Sequence, residues 1–95
     1  MILFEWDEAK AESNLRKHGI DFDDAIEVFY DPYTVVEQDR VVDGEQRWQT
    51  LGIVGDVIVL QVAHTVTEYN SDEVIRIISA RRATRKERRR YGKNC

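Results

Sequence analysis

At 95 residues the chain is long enough for one core and not for two, since half of it would fall below the size that folds unaided. With 42% hydrophobic and 34% charged residues it reads as a folded globule, and no apolar run approaches the ~20 residues that span a bilayer. The first seven residues turn acidic with no cationic leader, and the single cysteine, Cys95, leaves no basis for an internal disulfide framework or a thiolate metal site. One domain over 1–95, cytoplasmic and away from any membrane, is the expectation.

The formal net charge of −4 hides a strong asymmetry. Residues 1–32 carry nine acidic and three basic side chains, and residues 33–75 carry eight and two, so each stretch has a balance of −6. Residues 76–95 carry nine basic side chains and one acidic, a balance of +8. A cationic segment on an acidic body marks a local docking surface for a polyanion or an acidic protein. The simpler reading is a solvated basic helix without a partner, and the excess of cations in an otherwise acidic chain speaks against it. A membrane-surface helix would need more apolar bulk than residues 84–92 offer, where Tyr91 stands alone.

In chain order, Ile2-Leu3-Phe4-Glu5-Trp6 is a short β-prone run. Asp7 is placed to cap a first helix, with Trp6 and Ala11 as a hydrophobic staple and Gly19 to end it after about His18. Ala11, Leu15 and His18 share one face of that helix. Asp21 caps a second helix with Phe22, Ala25, Ile26 and Phe29 inward, which Pro32 ends by forcing Asp31 out of helical geometry. Residues 34–42 and 46–54 read as strands joined by an Asp43-Gly44 hairpin turn. Gly55-Asp56 then turns into 57–64, the most apolar strand, expected near the centre of the sheet. A polar loop over 67–72 leads to a last strand at 74–79. Thr84-Arg85-Lys86-Glu87 matches a capping box and opens a short basic helix running through Tyr91 and closed by Gly92. The order β-α-α-β-β-β-β-α predicts an α+β fold: two N-terminal helices on a curled, mainly antiparallel sheet, with a short basic C-terminal helix.

No Gly-rich phosphate loop, G-x-S-x-G, H-E-x-x-H or C-x-x-C occurs, and the two histidines, His18 and His64, lack metal-ligand spacing. Catalysis needing a metal, nucleotide or other cofactor is not expected. Arginine dominates the basic segment, and its planar fork suits phosphate. Strict alternation along the last strand predicts that Arg76 and Arg82 face one way and Arg81 the other. Arg82, Arg85, Lys86 and Arg89 are candidate RNA contacts. These residue types suit metal-free cleavage of RNA by its own 2′-hydroxyl. A base takes the hydroxyl proton, arginines stabilise charge on the phosphorus, and an acid protonates the leaving 5′-oxygen. His64 reads either as an acid–base group or as a satisfied core imidazole, and Tyr91 as a helix anchor or a proton donor. His18, in a last helical turn, has a packing and dipole reading of its own. Trp6 and Trp48 read as core.

Phe4-Glu5-Trp6-Asp7, Lys10-Ala11, Asn14, Lys17-His18-Gly19 and Phe22 resemble, in that spacing, the BrnT family of toxins. So do His64-Thr65, Arg76-Ile77-Ile78-Ser79-Ala80-Arg81, Ala83, Glu87 and Tyr91. The chain departs from the family pattern at Val66-Thr67, where many members have Glu-Arg, and so lacks one cation there. The resemblance implies a RelE-like fold and a ribonuclease toxin of a type II toxin–antitoxin system that stops translation. It also implies a BrnA-like antitoxin with a ribbon-helix-helix domain, through which alone the toxin would meet DNA. The implied functional positions are Lys17, His18, His64, Arg76, Arg81, Glu87 and Tyr91. Arg76 and Arg81 would clamp phosphate, His64 or Glu87 would act as base, and Tyr91 or His18 as acid. Phe4, Trp6, Gly19 and Ile77 would preserve packing. Two rivals remain at this point: a basic module that binds protein or nucleic acid without cutting, and a DNA-binding regulator acting alone. The second lacks a helix that mixes base-reading with phosphate-reading residues.

Overall fold

The caps predicted for the first two helices are in place in the computed structural model, which describes residues 1–93. The terminal thiol of Cys95 lies outside the described residues. Asp7 Oδ1 accepts the backbone N–H groups of Ala9 at 2.8 Å and Lys10 at 3.3 Å, opening α1 (Glu8–His18). Gly19 closes it at φ 71°, donating its N–H to the Leu15 carbonyl at 2.9 Å. Asp21 caps α2 (Phe22–Ala25) through the N–H of Asp23.

The second helix does not run on as one piece. After a single α-turn the chain tightens into a 3₁₀ helix over Ile26–Tyr30, a stretch of β-branched and aromatic residues that form α-helix weakly. Side chains three apart stack in a 3₁₀ helix. Phe22, Ala25 and Val28 are accordingly the fully buried set, while Ile26 and Phe29, expected inward, are only partly buried. α1 also sits differently, turning Asn14 inward with Ala11 half-buried and leaving Leu15 47% exposed.

The strands β1 (Ile2–Glu5), β2 (Val35–Val42), β3 (Glu45–Val54), β4 (Ile58–Tyr69) and β5 (Asp72–Arg82) form one mixed sheet in the order β1-β5-β4-β3-β2. β1 is parallel to β5 and the other pairings are antiparallel. The apolar β4 takes the central place. Asp43-Gly44 makes the β2–β3 turn at φ 51° and 78°, the positive values of a type I′ hairpin. The expected loop over 67–72 is instead a continuous hairpin, turning at Asn70-Ser71 with φ 50° and 72°. Polar side chains that bond their own backbone tolerate this region, and a Ser in the second place conceals the turn from the Asn-Gly pattern.

α1, α2 and the 3₁₀ helix cover part of one sheet face, burying Phe22, Val28, Leu60, Val62, Ile77 and Ala80 together. The 3₁₀ helix meets β3 at Gly52, where a Cβ would lie 2.7 Å from Val28 Cγ1 and 2.9 Å from the Val28 carbonyl oxygen. Gly52→Ala is therefore expected to destabilise by about 2 kcal/mol in urea titration, and an unchanged midpoint would show that Val28 yields freely. α3 (Arg85–Lys93) lies on the opposite face, where Tyr91 and Ala83 pack with Leu51. It continues through Gly92, which does not end it as the sequence suggested. Among the described residues no helix is long and apolar enough to cross a membrane.

Two side chains finish the sheet's hydrogen bonding where the outer strands run short. β1 pairs no further along β5 than Arg76, and beyond it Asn14 bonds Ala80 as a neighbouring strand would. Its Nδ2 donates to the Ala80 carbonyl at 2.8 Å, and its Oδ1 accepts the Ala80 N–H at 3.0 Å. The pairing of β2 with β3 reaches only Val35 opposite Leu51, and beyond it Asp31 Oδ2 accepts the N–H of Ile53 at 2.9 Å.

Candidate nucleic-acid interface

An interruption in β5 decides which way its arginines point. Ser79 pairs with Ala63 and Ile77 with His64, so Ile78 is an extra, unpaired residue. Such a bulge shifts the alternation by one. Arg76 stands opposite Thr65 and Arg81 opposite Gln61, both odd positions of β4, and the two arginines share one face. Arg82, opposite Leu60, is on the other face. This reverses the expectation that Arg76 pairs with Arg82 and opposes Arg81. The face carrying Arg76 and Arg81 is the one on which α3 packs.

Arg81 is held by two parallel bonds to Glu87, Nη1 to Oε1 at 2.8 Å and Nη2 to Oε2 at 3.0 Å. The predicted capping box is formed at the same residue. Thr84 donates its backbone N–H to Glu87 Oε1 at 2.8 Å, and Thr84 Oγ1 accepts the Glu87 N–H at 3.2 Å. The hydrogen bond from Arg81 outweighs burial and holds the Glu87 carboxyl down at about 2. A carboxylate so fixed is a poor proton acceptor near neutral pH, so its geometry fits a residue that aims Arg81 better than a base. Arg76 pairs with Glu5 at 2.7 Å, a half-exposed contact.

Beside this face, Lys10, Ser13, Lys17 and His18 of α1 and Ile78 and Ser79 of β5 line a recess of about 180 Å³. Ser79 shares the face of Arg81, so the recess opens next to the arginine row. α3 adds Arg85, Lys86, Arg88 and Arg89, all exposed, while Arg90 is tied to Glu37 at 2.9 Å. Arg76 and Arg81, with Glu87 bonded to the latter, are thus on the α3 face of the sheet, and Lys17 and His18 line the recess beside β5.

Two expected site residues lie elsewhere. His64 is on the opposite sheet face, 2% exposed, with Nε2 at 2.7 Å from Thr50 Oγ1 and its ring edge-on to Phe29 at 5.0 Å. Burial pushes its pKa down, keeping the imidazole neutral. Tyr91 is turned towards β3, where its hydroxyl donates to Asp31 Oδ2 at 2.5 Å. Burial would raise the Asp31 pKa, but the bonds from Tyr91 and from the N–H groups of Ile53 and Tyr33 outweigh it and leave it lowered. The geometry fits the anchor reading of Tyr91 and the core reading of His64. Sequence reasoning missed Glu5, Asp31 and Ser79, and gave Asn14 no role. Among the described residues no group of three or more His, Cys, Asp or Glu side chains is placed to hold a metal ion.

Residues 6–87 match the family model of the ribonuclease toxin, BrnT, of type II toxin–antitoxin systems. The chain belongs to the BrnT family. A 1.1 Å crystal structure of the Brucella abortus ribonuclease toxin BrnT superposes with a TM-score of 0.62 at 27% identity, covering 90% of this chain and 99% of that one. No functionally curated protein matches the chain by sequence. Membership of the BrnT family carries with it the assignment as a ribonuclease toxin and the existence of an antitoxin partner.

Proposed function

We propose that the chain is a metal-independent endoribonuclease, a single RelE-like toxin domain acting in the cytoplasm. In this reading it arrests translation by cutting RNA and is neutralised by a ribbon-helix-helix antitoxin that alone brings it to DNA. The observation that carries the reading is the bulge at Ile78, which sets Arg76 and Arg81 on one face beside the Lys17–His18 recess. Along the strand the two arginines are roughly 13–16 Å apart, a spacing for different phosphates of one RNA strand. Arg81, aimed by Glu87, stabilises charge at the scissile phosphorus, and Arg76 holds a neighbouring phosphate by exchanging its bond with Glu5. His18 is the imidazole on this side and takes the 2′-hydroxyl proton, while the Lys17 ammonium protonates the leaving 5′-oxygen. The exposed Arg85, Lys86 and Arg89 of α3 extend the contact to flanking phosphates, whereas Arg82, on the other sheet face, stands outside it.

A defined RNA incubated with the chain, with and without EDTA, tests this. Cleavage that persists in EDTA and leaves 2′,3′-cyclic phosphate ends is expected, with a loss of about 10²-fold or more in His18→Ala. A second reading, a basic module that binds without cutting, draws support from Glu87, His64 and Tyr91 all being tied to protein partners. It predicts saturable RNA binding with no product and no growth arrest on expression.

A further inference from the structure

The helical layer leaves part of its sheet face bare. Beyond the 3₁₀ helix a groove of about 470 Å³ crosses β2, β3, β4 and β5, with Phe29, Trp48, Val66 and Ile75 among its walls and His64 at its floor. Val36, also lining it, is 57% exposed, and Val66 is 38% exposed. Among the described residues its only charged lining side chains are Glu68 and Glu73, both exposed at the rim, and the buried imidazole is neutral. Four strands at ~4.8 Å spacing give a width of roughly 14 Å, and a helix with its side chains is about 10–12 Å across.

We infer that this groove docks one amphipathic helix of the antitoxin, bearing an apolar stripe flanked by lysine or arginine. Such a helix would complete the layer that α1, α2 and the 3₁₀ helix begin, covering valines and aromatics that a sheet ordinarily buries. The charge selects the occupant. Two carboxylates without a cation, in the stretch 33–75 that carries −6, repel RNA and attract a basic flank. A second copy of this chain is disfavoured on the same ground, since a two-fold contact here would bring four glutamates together. The groove opens on the face opposite Arg76 and Arg81. Docking there anchors the antitoxin and leaves another of its segments to cover the basic face.

The inference rests on the reading of the chain as a toxin held by its antitoxin, and the test separates the two. Val36→Asp and the double variant Glu68→Lys/Glu73→Lys alter exposed positions outside the proposed RNA site. Both are expected to cut RNA and arrest growth like the unaltered chain, yet to bind the cognate antitoxin about tenfold or more weakly and to escape rescue by it. Carbodiimide labelling of Glu68 and Glu73 in the unaltered chain is the companion measurement, and should fall when purified antitoxin is added. Normal rescue of both variants with undiminished labelling in the complex would overturn the inference. So would labelling already blocked in a self-associated free chain, which would make the occupant a second copy. If the unaltered chain neither cuts RNA nor arrests growth while the variants still lose antitoxin, the docking site stands and the nuclease reading falls.

Discussion

Replacing Asn14 by Leu is expected to cost about 3–5 kcal/mol of stability, the largest effect of any single change considered. The side chain is 5% exposed and bonds the Ile20 carbonyl at 3.0 Å as well as both backbone groups of Ala80. Leucine fills a comparable volume but leaves Ala80, itself fully buried, with an unpaired donor and an unpaired acceptor. Each orphaned group costs about 1–3 kcal/mol, out of a total of about 5–15 kcal/mol for a typical domain. Asn14→Asp should be no better, because a carboxylate would face the carbonyls of Ile20 and Ala80 with nothing to donate. Thermal and urea unfolding read the loss directly. A cost below about 1 kcal/mol would mean that water takes over the strand edge and that Asn14 is not what seals it.

Loss of Arg81 is the largest functional effect expected. Arg81→Ala should lower the RNA cleavage rate by about 10²–10³-fold, the usual cost of removing one preorganised donor at a developing charge. Glu87→Gln separates aiming from proton transfer. If Glu87 only positions Arg81, the variant keeps the shape of the pH–rate profile and loses part of the rate. If Glu87 were the base, the acid limb of the profile would vanish with the activity. Stability carries a matching signature. The Glu87 carboxyl lies at about 2 in the folded chain against an ordinary 4.5, so its contribution is complete above 4.5 and drains away as pH falls towards 2. The shift corresponds to about 3 kcal/mol, an upper figure because the Arg81 side chain is a third exposed and solvent screens the pair. Glu87→Gln should flatten the acid side of the stability–pH curve over that window, and an unchanged curve would show that the pair contributes little.

What could be read from the sequence was local. Caps at Asp7, Asp21 and Thr84 and the Asp43-Gly44 turn are each settled within four residues, by side chains that bond nearby backbone or by a need for positive φ. The central place of β4 was also legible, because 57–64 is the most apolar stretch of the chain. The 3₁₀ helix was not, since 22–29 offers apolar residues at both three- and four-residue intervals and only packing against Gly52 chooses between them. Asn14 and Ala80 are 66 positions apart, and nothing near either announces the bond. The candidate site was legible as a list of residue types but not as a place. His64 and Tyr91 were drawn to it by their chemistry, although their partners, Thr50 and Asp31, lie in other elements.

The extra residue in β5 acts on that strand as a frameshift acts on a message. Before Ile78 the odd positions serve the core, and after it the even ones do, so Ile75, Ile77 and Ala80 all reach the same buried layer. Pairing Ile78 in register with β4, so that no residue is left over, would restore simple alternation and exchange the two neighbouring arginines. Arg82 would take the outward place and Arg81, with its glutamate partner, would be turned into the helical layer. Adjacent arginines at 81 and 82 are therefore not interchangeable spares. One unpaired residue sets the phase in which everything downstream of it is read.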